Sequence, residues 1–202
     1  MTDFSLIFMA LIVGFFHSFE ADHLAAVSNL VSTKKSAIQS LKDGMFWGIG
    51  HTVTIFFIGV LILVLKYSIS ENVFSKFEGL VGIMLIVLGI YRLSKLKQVK
   101  QTLHHGHNHK LALGVGLIHG IAGSGAVVAA AVSATSTISI GLLYLTIFGM
   151  GSILGMLCVA FILGKILYLK KLENINIVSY FSIFSSLFCI VFGLKIFIYN
   201  FT

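Results

Sequence analysis

The sequence predicts an all-α polytopic membrane protein: six transmembrane helices in two inverted-topology three-helix repeats, forming one transmembrane domain over 1–202. Three observations carry this expectation. Hydrophobic residues make up 57% of the 202 and charged residues only 10%, against roughly 25% charged in a soluble domain. The apolar residues gather into six runs of about the 20 residues that a helix needs to cross a bilayer core. Polar landmarks of the first half also reappear, in the same order, in the second.

The six spans are read at 4–31, 44–65, 77–93, 111–134, 138–165 and 176–200. The third is short, and the first and fifth are long enough to require tilt or a local irregularity. The chain has no proline and 20 glycines, so kinks must come from glycine or from polar side chains. Glycines at 48, 50, 82, 89, 114, 116, 120, 123, 125, 149, 151 and 155 are expected to let helices approach closely. Cys158 and Cys189 both fall within apolar runs and read as small buried hydrophobes, without a CxxC pair. The start of the sequence, MTDFSLIF, has neither a basic segment nor a small-residue cleavage site, so no removable signal peptide is expected.

Orientation follows from the basic residues. Lys34, Lys35 and Lys42 follow span 1; Arg92, Lys95, Lys97, Lys100 and Lys110 follow span 3; Lys165, Lys170 and Lys171 follow span 5. These are 11 of the 14 basic residues, all on one side. That side is expected to be the cytoplasm, with the protein multi-pass in the cell membrane and both termini outside. The formal net charge of +7 is therefore a topology signal, and no nucleic-acid partner is expected.

The internal repeat is visible by offset. A shift of 102 lays GFFHSFEADHLAAVSNLVST (14–33) over GLIHGIAGSGAVVAAAVSAT (116–135). A shift of 101 lays WGIGH (47–51) over FGMGS (148–152), and one of 104 lays IVLGIYRL (86–93) over IVFGLKIF (190–197). Repeat one then covers about 4–93 and repeat two about 111–200, joined by a loop over about 94–110. An odd number of spans per half inverts the second half, a plan that places a transporter's site at the repeat interface.

Ionisable residues inside a span are costly and mark substrate or ion pathways. His17, Glu20, Asp22 and His23 lie within span 1. At ~1.5 Å per residue, Asp22 and His23 stand roughly 13 Å from its cytoplasmic end, His51 roughly 10 Å into span 2 and His119 roughly 12 Å into span 4. Three helices thus bring imidazoles to one level, with His17 about one and a half turns further out. Imidazoles with a carboxylate suit a borderline divalent transition metal, whereas magnesium and calcium prefer oxygen ligands. On a regular helix His17, Glu20 and His23 share a stripe and Asp22 points elsewhere, as a partner for an imidazole. If the helix unwinds near Glu20–Ala21, Asp22 and His23 both turn inward. Both arrangements stay open at this level.

The pattern His17-x4-Asp22-His23 resembles the His-x4-Asp-His motif of the nickel/cobalt transporter (NiCoT) superfamily, and Gly50-His51-Thr52 is similar to its Gly-His-Ser/Thr segment. LIHGIAGSGAV (117–127) is similar to the second half of the smaller, six-helix UreH-like members. The resemblance implies transport of Ni²⁺ or Co²⁺, with His17, Asp22 and His23 as matching metal residues. The chain departs from the larger members in having six helices rather than eight, and Ser124-Gly125 stands where the first half has Asp22-His23.

The tract HHGHNH places His104, His105, His107 and His109 in the loop assigned to the cytoplasm, a composition suited to metal capture. A metal-gathering loop on that side favours export over uptake. The expectation is a transporter and not an enzyme. Its metal residues are His17, Asp22, His23 and His51, with Glu20, His119 and Ser124 on the path or behind the ligands. The divalent ion is the substrate, no permanent cofactor is expected, the bilayer is the environment, and assembly with further copies of the chain is compatible with the sequence. Two other classes fit less well. A membrane thiol or electron carrier needs matched cysteines in both halves, and Cys158 and Cys189 are both in the second. An exporter of organic or sulfur-containing anions needs Arg or Lys at the central level of the spans, where none is found.

Overall fold

The computed structural model describes residues 3–32, 36–65, 70–99, 109–135, 137–167 and 175–201, and every regular element among them is a helix. In order these are α1 (Asp3–His17), α2 (Ala21–Val31), α3 (Ala37–Leu63), α4 (Glu71–Val99), α5 (Lys110–Ala134), α6 (Ile138–Leu167) and α7 (Ile175–Phe201). Four helices are long and apolar enough to cross a membrane unaided: α3, α4, α6 and α7. The expected first span is instead a broken pair, α1 and α2, bent by 55°. The expected fourth span, α5, bends by 52° between Lys110–Gly123 and Gly125–Ala134. Counting each bent pair once gives the six expected spans.

The break in span 1 has a local cause. Phe19 and Glu20 donate their backbone N–H groups to the carbonyls of Phe16 (2.9 Å) and His17 (3.1 Å), tightening the last turn of α1 to i→i−3 bonds. Glu20 then turns extended, at φ −63° and ψ 153°, and its carbonyl accepts the first bond of α2 from Leu24. Asp22 falls in the first turn of α2, where a carboxylate favours the positive end of the helix dipole. Apolar surroundings tolerate such a break only if freed backbone groups find partners. Ser152 on α6 supplies one, its hydroxyl donating to the Gly14 carbonyl at 3.1 Å.

Packing runs α1 on α6, α3 on both α5 and α6, and α4 on α7. The closest backbone approaches come in matched pairs at the offsets that align the halves of the sequence. Gly14 lies against the Phe148 carbonyl as Gly116 lies against that of Trp47, and Gly151 meets the Leu11 carbonyl as Gly50 meets that of Leu113. Any Cβ at Gly14 or Gly116 would overlap backbone, so these crossings require glycine. Gly114, expected to do the same, faces open space.

One residue counted with the basic side is drawn into the fold. Arg92 lies within α4, which is longer than the expected third span, and it is buried with its Nη2 donating to the Asn29 carbonyl near the end of α2 (2.9 Å). Lys42, placed before span 2, lies within α3 but stays exposed. Large apolar side chains such as Phe8, Phe57, Val87, Phe184 and Val191 are exposed on the outer faces of the bundle, as lipid contact demands.

Candidate metal site

Breaking span 1 places the end of α1 beside the start of α2. His17, expected one and a half turns from His23, has its ring centroid 4.5 Å from that of His23. His51 approaches from α3, 5.4 Å from His17 and 5.2 Å from His23. His119 approaches from α5, 4.2 Å from His23. His23, His51 and His119 are each at most 1% exposed. Trp47 touches His23 (5.5 Å) and His119 (5.9 Å) on one side of the cluster, and Phe148 touches His17 (5.4 Å) on the other.

The Gly50-His51-Thr52 segment shows how local sequence aims one of these rings. Gly50 brings α3 against the α5 backbone, and the Thr52 hydroxyl donates to the Gly149 carbonyl of α6 at 3.1 Å. With both flanks held, His51 turns into the space between the helices.

Carboxylates fix most of the imidazoles. His17 Nδ1 donates to Glu20 Oε1 at 2.8 Å. Asp22 Oδ1 accepts from the backbone N–H of His23 (2.8 Å) and from its Nδ1 (3.0 Å), while Oδ2 accepts from His119 Nε2 (2.8 Å). A carboxylate on one ring nitrogen sets the tautomer and leaves the other nitrogen as a donor toward metal. Among the cluster imidazoles, the buried nitrogens that remain without a hydrogen-bond partner are Nε2 of His17 and His23, Nδ1 of His119 and both nitrogens of His51. Buried polar atoms are rarely left so, and each needs an explanation.

Two overlapping donor groups result. The ligand atoms of His17, His23 and His51 lie within 4.8 Å of one another, and so do those of Asp22, His23 and His119. Of the expected metal residues, His17, His23 and His51 thus form one group, while Asp22 joins His119, which had been assigned to the path. Glu20 stands behind His17. His109 lies at the start of α5, its Nδ1 2.6 Å from Asp43 Oδ1. His104, His105 and His107 lie outside the described residues, as does the side chain of Ser124.

A cavity of about 780 Å³ leads to the cluster past Phe148, lined by His17, Glu20, Asp22, Glu78, Tyr144 and Lys195 among others. His23, Trp47, His51 and His119 are not on its wall. Glu78 and Lys195 were not singled out in the sequence, although each is an ionisable residue inside an expected span, which is the signal that found the histidines.

Comparison with known proteins agrees with this chemistry. The sequence profile of the NicO family, described as high-affinity nickel-transport protein, matches residues 3–112. The urease accessory protein UreH of Bacillus sp. (strain TB-90) is 34% identical over 210 aligned positions, covering 97% of this chain and 91% of that protein. A protein of Methanocaldococcus jannaschii, provisionally named a nickel/cobalt efflux system, is 29% identical over 177 positions, covering 82% of this chain and 79% of its own. No solved structure matches. A profile that spans more than half of the chain, and a relative aligned along nearly all of it, place the protein in the NicO family of nickel transporters.

Proposed function

We propose that this protein carries Ni²⁺ or Co²⁺ across the cell membrane through the buried histidine cluster, by alternating access between two inverted three-helix halves. The observation that carries this reading is the group His17, His23 and His51, three imidazoles from α1, α2 and α3 with unpartnered buried nitrogens, of which His17 lines the cavity. Neutral imidazoles suit nickel and cobalt better than hard cations. The matched glycine contacts at Gly14 and Gly116, and at Gly50 and Gly151, support the two-fold reading of the halves.

In this scheme an exported ion comes from the loop side once Trp47 yields, and sheds water as Asp22, His23 and His119 replace it. His23 belongs to both donor groups. The ion can therefore move on to His17, His23 and His51 by exchanging ligands about one shared imidazole, without a bare intermediate. It leaves through the cavity past Glu20. Protons compete for the same nitrogens, so acid favours release. The basic loops on one side support termini facing outside, and the HHGHNH tract (His104, His105, His107 and His109) on the loop side supports metal capture from the cytoplasm and hence export.

Metal flux in proteoliposomes tests the reading. Wild type should move Ni²⁺ and Co²⁺, and His23→Ala should abolish movement. Undiminished flux in His23→Ala would remove the cluster from the pathway.

A further inference from the structure

Asp43 and His109 are the other carboxylate–imidazole pair in the molecule's interior among the described residues. Asp43 is 2% exposed, on the loop-side part of α3, and its Oδ1 lies 2.6 Å from Nδ1 of His109, the residue that begins α5. The imidazole is stacked on Phe46, with centroids 5.0 Å apart and planes within 3°, so its orientation is set.

The position of this pair is informative. Asp43, Trp47 and His51 stand at i, i+4 and i+8 on α3, one above another on a single face. At ~1.5 Å per residue, Asp43 and His51 are about 12 Å apart along the helix. Trp47, fully buried and in contact with His23 and His119, fills the interval. The face of α3 thus carries a carboxylate with its imidazole, an aromatic barrier, and then the cluster.

We infer that Asp43 and His109 form a second divalent-metal site, beyond Trp47 from the cluster, where an ion pauses as it leaves or joins the transport path. The inference rests on the transport reading above. Imidazole and carboxylate are suitable donors for nickel or cobalt. Two such donors on adjacent positions of an ion with bonds of about 2.1 Å stand about 3 Å apart, so the pair needs to open by only a few tenths of an ångström. The ion takes the place of the proton that the pair shares. A carboxylate and an imidazole bind an ion more weakly than the histidine cluster does, which is what a transit site requires if the ion is to move on.

The test uses the full-length chain in detergent with His17→Ala, His23→Ala, His51→Ala and His119→Ala to remove the cluster imidazoles, and His104, His105 and His107 replaced by Asn to silence the tract. Co²⁺ is the probe, followed by equilibrium dialysis and by its visible d–d absorption. This background should still bind about one Co²⁺ with a nitrogen–oxygen ligand spectrum. Asp43→Asn and His109→Gln should each weaken that binding about tenfold or more, and Asp43→Glu, which keeps the carboxylate, should retain it. Should Asp43→Asn not fold, His109→Gln and Asp43→Glu give the same reading. Co²⁺ binding equal to background in either charge- or donor-removing variant, or no binding in the background, overturns the second site. Full flux in the single variant His23→Ala overturns the transport reading instead and leaves the Asp43 result standing.

Discussion

Asp22 on α2 and His119 on α5, 97 positions apart, are joined at 2.8 Å between Oδ2 and Nε2, and the same carboxylate holds His23 through its other oxygen. One side chain therefore sets the tautomers of two cluster imidazoles and ties together the two bent spans. Asp22→Asn keeps the size but cannot accept both ring N–H groups as an anion. We expect Ni²⁺ affinity, measured by calorimetry on purified protein, to fall about 10- to 100-fold, the usual effect of removing a carboxylate that orients a metal-binding histidine. Unaltered affinity would show that the histidines orient themselves.

Glu20 plays the matching part for His17, but its side chain is 57% exposed against 24% for Asp22. Solvent screens an exposed pair and lowers its worth. Glu20→Gln should weaken Ni²⁺ binding by about tenfold or less and always by less than Asp22→Asn. A larger loss in Glu20→Gln would reverse the order of the two carboxylates and make Glu20 the direct ligand.

Gly114 and Gly116 are two residues apart on α5 and should respond with opposite signs. Alanine at Gly114 meets open space and gains helix propensity, about 0.5–1 kcal/mol of stabilisation. Alanine at Gly116 strikes the Trp47 backbone and should cost about 1–3 kcal/mol by overpacking. Thermal unfolding in detergent, followed by fluorescence, reads both; a Gly116→Ala protein that melts no lower than wild type contradicts the contact.

Arg92 caps the far end of α2 by donating to the Asn29 carbonyl. Arg92→Leu leaves that buried acceptor without this donor, a loss of about 1–3 kcal/mol. The melting temperature should drop while Co²⁺ still binds to the folded protein. Loss of Co²⁺ binding at temperatures where the variant is folded would mean that α2 cannot hold its histidine unless its other end is clamped.

Metal itself should stabilise the fold. At a free Ni²⁺ concentration 100 times Kd the gain is about 2.7 kcal/mol, seen as a higher melting temperature that chelation reverses. His51→Ala should lose most of this gain, because His51 offers two unpartnered nitrogens to the cluster. An equal shift in wild type and His51→Ala would put the stabilising ion elsewhere.

Much of this was legible in the sequence because intramembrane ionisable groups are conspicuous against apolar runs. His17, Asp22, His23, His51 and His119 stood out on that ground, and helical rise put four of the five at one level. His17 was misplaced because a straight helix was the ruler. The break at Ser18–Glu20 involves neither glycine nor proline; it depends on Ser152, far along the chain, to satisfy the Gly14 carbonyl. Arg92 was counted with the loop after span 3, and the pairing of Asp43 was not anticipated, because their partners, Asn29 and His109, are 63 and 66 positions away. Local sequence carries burial and period well, but it does not say which distant group will pair with a given charge.

The cavity wall has an electrical consequence. Its formally charged side chains are Glu20, Asp22, Glu78 and Lys195. On formal charges that is a surplus of two negatives, one for each positive charge on a divalent ion. Under the alternating access proposed above, a loaded cavity would be close to neutral, and its turnover would move little charge against the potential. An empty cavity would carry its surplus with it, and each elementary charge crossing 100 mV is worth about 2.3 kcal/mol. Voltage would then act chiefly on the return of the unloaded carrier, so that the membrane potential sets how often the protein resets rather than how firmly it holds its ion.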